Sequence, residues 1–208
     1  MLQNKKIAII LNGLFPSHRD HLKNIAAYNT VIACDGAYTN ACDAGIKPDY
    51  TIGDFDSVNK DQISHGEAIQ ISRQSDNDMS KAMEWVSQNN GNSVDIYGGG
   101  GLRDDHYLSN ISVLLEHFPS LSKRFFTDFG VFTSQRQEHK YKSYKGQQVS
   151  IFGLDKTIIV SAKGLRYSVN NLTLDPGYRL SLNESLGSQF SVTNSHGTIL
   201  IYQAYDLK

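Results

Sequence analysis

Residues 50–57 read Tyr50-Thr51-Ile52-Gly53-Asp54-Phe55-Asp56-Ser57, a short apolar run that stops at a glycine and is followed at once by two carboxylates. The same layout recurs along the first part of the chain. Val31 to Cys34 runs into Asp35-Gly36-Ala37, and Ala68 to Ile71 leads to Arg73-Gln74-Ser75-Asp76-Asn77-Asp78. Ser93 to Tyr97 runs into Gly98-Gly99-Gly100-Gly101-Leu102-Arg103-Asp104-Asp105-His106. With Lys6 to Leu11 and Arg124 to Asp128 as further strands, the alternation with amphipathic segments predicts strand and helix units building a mostly parallel, Rossmann-like sheet. Met79, Ala82, Met83 and Val86 stand at helical spacing and predict a helix with one apolar face. A second helix is expected over Tyr107 to Glu116, with Leu108, Ile111, Leu114 and Leu115 turned inward and Pro119 marking its end. In an open parallel sheet the carboxyl ends of the strands lie along one edge, so the four polar loops should meet in one crevice.

Beyond about Gly130 the helical period disappears. Val149 to Phe152, Thr157 to Ser161, Leu180 to Asn183, Gln189 to Thr193 and Thr198 to Tyr202 read as strands, with Gly146, Gly153, Gly164, Gly177, Gly187 and Gly197 between or beside them. That pattern predicts an all-β antiparallel sandwich or barrel. Two domains follow, 1–132 and 133–208, in a chain of 208 residues. A net charge of −1 supplies no field to gather nucleic acid or an anionic membrane. The one early apolar run, Ile7 to Leu11, is too short to span a bilayer or to serve as a secretory signal, so a cytoplasmic protein is expected. Cys34 and Cys42 fit no zinc framework and read as free thiols.

Asp35, Asp54, Asp56, Asp78 and Asp105, gathered along one edge, would repel one another unless a cation offset their charge. Hard oxygen ligands suit Mg²⁺, which binds through one or two carboxylates and completes its shell with water and substrate phosphate. Taken singly, Asp35, Asp76 or Asp104 is an ordinary cap or turn residue. The pair Asp54 and Asp56 is stronger, because alternate residues of an extended segment point to one side. Gly98 to Gly101 permits close backbone approach to phosphate oxygens, with Arg103 as a bidentate partner. His106 opens a helix beside this run, where it suits either a phosphate contact or a structural role. A Walker loop and a dinucleotide fingerprint after the first strand are both absent.

In order along the chain, Asp35-Gly36-Ala37, Gly45-Ile46-Lys47-Pro48-Asp49, Ile52 to Ser57, Gln74 to Asp78 with Ser80-Lys81-Ala82, and Arg103 to His106 with Asn110 resemble the thiamine pyrophosphokinase family. The resemblance covers nearly the whole chain. It implies an enzyme that moves the pyrophosphoryl group of ATP to the hydroxyl of thiamine, an α/β catalytic domain followed by a thiamine-binding β-sandwich, and a homodimer. Asp54, Asp56 and Asp78 would then serve the metal and, with Arg103 and Asp105, catalysis. Asp35, Gln74, Lys81, Arg103 and His106 would contact ATP, and Gln74, Tyr167, Ser181 and Asn183 would contact thiamine. Leu182 stands where the family has serine, with Ser181 adjacent, and Leu102 stands where it commonly has glycine. Two other readings remain: a glycosyltransferase using Asp54-Phe55-Asp56 as an Asp-x-Asp metal site, and a non-catalytic nucleotide or thiamine sensor.

Overall fold

Short runs rich in isoleucine, valine and alanine form the strands of the first unit in the computed structural model, which describes residues 2–17 and 19–206. These are β1 (Ile7–Ile10), β2 (Thr30–Cys34), β3 (Tyr50–Gly53), β4 (Glu67–Gln70), β5 (Ser93–Tyr97) and β6 (Ser122–Phe126), with helices α1 (Arg19–Ile25), α2 (Ala37–Asp43), α3 (Asp78–Gln88) and α4 (Asp104–Glu116) between them. Every pairing is parallel, in the order β6-β5-β1-β2-β3-β4. Chain order therefore reverses at β1, and the crevice for a ligand opens outside the carboxyl ends of β1, β2 and β5.

β1 and β2 are buried along their whole length, as strands covered on both faces must be. On one face Ile25 of α1 and Ala37, Tyr38 and Ala41 of α2 cluster with Ala8, Ile10, Val31 and Ala33. α3 packs against β2 and β3 and buries Met79, Ala82, Met83 and Val86. Each large aliphatic side chain so buried stabilises the unit by roughly 1.5–3 kcal/mol. Asn77 starts α3 by accepting the Ser80 N–H at 2.9 Å, and Asn89, at the other end, donates its side-chain amide to the Trp85 carbonyl.

The expected inward face of α4 is partly wrong: Leu108 is 66% exposed, whereas Asn110 is buried. The helix turns its Asn110 side inward because that amide has polar partners waiting for it, described below. α1 and α2 escape the sequence reading, being only seven residues each.

By contact the chain divides into Met1–Val113 with Ser120–Asp128, and Leu114–Pro119 with Phe129–Lys208. The second unit carries β7 (Gly130–Gln135), β8 (His139–Lys142), β9 (Gln148–Phe152), β10 (Ile159–Lys163), β11 (Val169–Thr173), β12 (Asn183–Glu184), β13 (Gln189–Asn194) and β14 (Ile199–Ala204). All pairings here are antiparallel, in the orders β12-β9-β14-β7 and β11-β10-β13-β8. Val149, Ile151 and Ile201 from the first group share one core with Tyr141, Val160, Phe190 and Val192 from the second. The strand expected over Leu180 to Asn183 shrinks to Asn183–Glu184, because Leu182 takes a positive φ of 56° and breaks the extended run.

Candidate active site

The loops after β1, β2, β3 and β5 and the start of α3 enclose a cleft of about 450 Å³ within the first unit. That volume suits a small-molecule ligand. Asp35, Asp54, Asp56, Gln74, Asp78, Lys81, Arg103 and His106 all line it. Asp105 does not: it is exposed and takes both hydrogen bonds of the Arg103 fork, at 3.0 and 2.6 Å.

Asp35, Asp54 and Asp56 each offer a carboxylate oxygen, all within 4.8 Å of one another. Two backbone features bring this about. Gly53 has no side chain because a Cβ there would come within 2.9 Å of the Asp35 Cβ, so the end of β3 closes directly against the end of β2. Phe55 then adopts φ of 64°, and the chain turns between the two carboxylates. Asp54-Phe55-Asp56 is therefore not the extended segment that the spacing suggests; a left-handed residue, costing roughly 1–2 kcal/mol, converges the pair instead. Asp35 is itself left-handed, at φ of 42°. Strain of this kind persists where the surroundings impose it and gathers at functional sites.

Asp35 is only 2% exposed. Its Oδ2 accepts the Ser57 N–H at 3.2 Å, whereas the buried Oδ1 has no hydrogen-bond partner. Burial, followed by the neighbouring Asp56 carboxylate, pushes the Asp35 carboxyl up to about 6. Asp56, bonded to Asp35 and to the Ser57 hydroxyl, is held below the usual carboxylate range. A buried carboxylate oxygen without a donor, facing two more carboxylates, fits a divalent cation with oxygen ligands.

One cation already sits in the cluster. Lys81, 2% exposed, places its Nζ 3.0 Å from Asp78 Oδ1 and 3.4 Å from Asp54 Oδ2. Burial pulls its pKa down, but the bonds to Asp78 and Asp54 more than offset that and the net shift is upward, so the ammonium stays charged. Gln74 donates to the same Asp54 oxygen at 2.9 Å. Lys81 pairs with two carboxylates, Asp54 and Asp78, and the negative charge left on the cluster invites a metal.

The glycine loop is held from both sides. Gly13 and Leu14 donate their N–H groups to the carbonyls of Gly98 and Gly100, both at 2.8 Å, and a Cβ on Gly13 would strike Gly98 O at 2.4 Å. Asn110 donates to Gly99 O at 2.8 Å. Asn12 and Gly13 line the cleft and escape the sequence reading, and Asn77, read there only as part of a polar loop with no role of its own, lines it too. The Asn-Gly pair directly after the first strand was the signal for the first two.

The second unit brings Tyr167 and Asn183 together. Asn183, buried, accepts the Tyr167 N–H at 3.0 Å and donates to the Tyr167 carbonyl at 2.8 Å, so its amide shapes the neighbouring turn. Tyr167 is 60% exposed, and Leu182 73%. Ser181 turns its hydroxyl to the Tyr178 carbonyl at 2.7 Å.

Residues 22–124 match the model of the thiamin pyrophosphokinase catalytic domain, and residues 130–202 that of the thiamin pyrophosphokinase substrate-binding domain. Among curated proteins, the chain is 25% identical over 192 residues to a thiamine pyrophosphokinase of Bacillus subtilis, covering 84% of this chain and 87% of that one. It is 26% identical over 213 aligned residues to a thiamin pyrophosphokinase of Caenorhabditis elegans, covering 93% and 87%. The crystal structure of a Bacillus subtilis thiamine pyrophosphokinase has the same fold, with a TM-score of 0.81 at 22% identity, over 97% of this chain and all of the other. With both halves matched in order, the chain belongs to the thiamin pyrophosphokinase family, enzymes that transfer the pyrophosphoryl group of ATP to thiamine.

Proposed function

We propose that the cleft of the first unit binds ATP with Mg²⁺ and that the hydroxyl of thiamine attacks the β-phosphorus in line, releasing AMP and thiamine diphosphate. The observation that carries this reading is the convergence of Asp35, Asp54 and Asp56 around a buried, unpartnered Asp35 oxygen. These carboxylates would hold Mg²⁺, which when bound neutralises charge on the phosphate oxygens. The rest falls to positioning and charge. Lys81 bridges Asp54 and Asp78 and so fixes the two carboxylates relative to each other. Arg103, on the rim beside the glycine loop, stabilises charge on the transferred group or the leaving AMP. Asp78 lies in the cleft and is suited to accept the thiamine hydroxyl proton, whereas Asp105 is already committed to Arg103 and orients it. Gln74 and His106 contact substrate from the cleft wall.

We assign ATP binding to residues 1–132 and thiamine binding to the β-sandwich of residues 133–208. Tyr167 offers an exposed aromatic face to the cationic thiazolium, held by Asn183, with Ser181 close by. The exposed Tyr167, Tyr178 and Leu182 suit contact with a second subunit, and a cytoplasmic homodimer is the expected form. A glycosyltransferase reading accounts for Asp54-Phe55-Asp56 alone and leaves the other loops without a role. The test is product analysis: ATP, thiamine and Mg²⁺ should give AMP and thiamine diphosphate in equal amounts, and formation of ADP or of no product would contradict the proposal.

A further inference from the structure

We infer that Asn110 is a positioning residue that locks the glycine loop to the start of α3, and so sets the phosphate cradle at a fixed distance from the metal-binding carboxylates. The inference rests on the reading that this cleft binds the phosphates of ATP. Asn110 is 8% exposed. Its Nδ2 donates to Gly99 O at 2.8 Å, and its Oδ1 accepts from Asn77 Nδ2 at 3.0 Å. Asn77 in turn caps α3 through the Ser80 N–H at 2.9 Å, one residue before Asp78 and four before Lys81. One side chain thus joins the glycine loop to the helix that carries Lys81, the lysine paired with Asp54 and Asp78.

The consequence lies in the loop's polarity. Gly13 N, Asn110 Nδ2 and Leu14 N occupy the three successive carbonyls of Gly98, Gly99 and Gly100. Among the described residues, the N–H groups of Gly99 to Arg103 have no protein acceptor. A loop whose carbonyls are tied back and whose N–H groups are uncommitted is prepared for an anion. The middle tie needs a side chain that donates at one end and accepts at the other, which an amide does and leucine or aspartate of similar size does not. Holding both halves of the site in place beforehand lowers the ordering cost when ATP binds.

Two variants test this, Asn110→Leu and Asn77→Ser. Serine keeps a cap acceptor for α3 and loses the reach to Asn110. MgATP affinity is measured by calorimetry without thiamine, alongside steady-state KM for each substrate and circular dichroism. Asn110→Leu should bind MgATP roughly 10-fold more weakly and Asn77→Ser about 3-fold, as expected for loss of a buried hydrogen bond. KM for thiamine should stay within about twofold, since a general loss of structure would move both substrates. Unchanged MgATP affinity in Asn110→Leu overturns the inference; should that variant not fold, unchanged affinity in Asn77→Ser does so. Wild-type protein that binds no MgATP sinks the functional reading and this inference together. Wild-type binding with unaffected variants sinks the inference alone.

Discussion

The two ends of the proposed reaction are built in opposite ways. Around Asp35, Asp54, Asp56 and Asp78 polar atoms converge without enough partners: a buried carboxylate oxygen has no donor, and among the described residues Lys81 pairs with Asp54 and Asp78 alone. Around Tyr167 and Asn183 the polar atoms satisfy one another, and apolar side chains are left outward. The first region holds a charge deficit that a cation and phosphate would complete. The second offers shape and an aromatic face, with its hydrogen bonds already used for its own backbone. In the proposed reaction, charge recognition and surface recognition would be separated into different folds.

Breaking the first region should have the larger effect. Asp54→Asn keeps the size of the side chain but removes the charge that pairs with Lys81 and faces Asp35 and Asp56. Turnover at saturating Mg²⁺ should fall roughly 100-fold or more, with the fold intact by circular dichroism. Near wild-type turnover would remove Asp54 from the metal site. Breaking the second region should be milder and selective. Tyr167→Ala removes an exposed ring, so stability should hardly change while KM for thiamine rises about 10-fold and KM for ATP stays put. Equal changes in both constants would erase the division between the regions.

A pH titration sharpens the contrast at the smallest scale. The folded-state pKa of Asp35 is raised to about 6 from its usual value, by burial first. The folded protein therefore holds this proton more tightly than the unfolded chain, and the resulting stabilisation is complete at low pH and lost as pH rises through about 6. In chelator, wild-type protein should lose a few degrees of melting midpoint between about pH 5 and pH 7 that Asp35→Asn does not lose. No carboxyl of the second unit is raised in this way among the described residues that depart from their usual values, so replacing Asp155, which is held low chiefly by Thr157, should leave that difference in place.

The strand-end loops were legible because a parallel sheet turns sequence position into spatial position: a polar residue just after an apolar run lands on the carboxyl edge. Asp35, Asp54 and Asp56 are found that way. The manner of their meeting was not legible, since the left-handed Phe55 and the close packing of Gly53 on Asp35 depend on neighbours from another strand. Lys81 is expected at the ATP site from the resemblance alone, and only the tertiary structure reveals it as buried and paired with Asp54 and Asp78. Asn77 and Asn110 are 33 residues apart, and no local pattern announces an amide pair. In the second unit β8 alternates His139, Lys140, Tyr141 and Lys142 with a single buried residue, too weak an apolar signal to read as a strand.

The proposed chemistry depends on where a divalent cation binds. A crystal soaked with Mn²⁺ and a non-hydrolysable ATP analogue, measured for anomalous scattering, locates it directly. The expected result is a peak between the carboxylates of Asp54 and Asp56, with Asp35 alongside and phosphate oxygens completing the shell. A peak elsewhere, or an analogue seated with its phosphates away from these three residues, would contradict it.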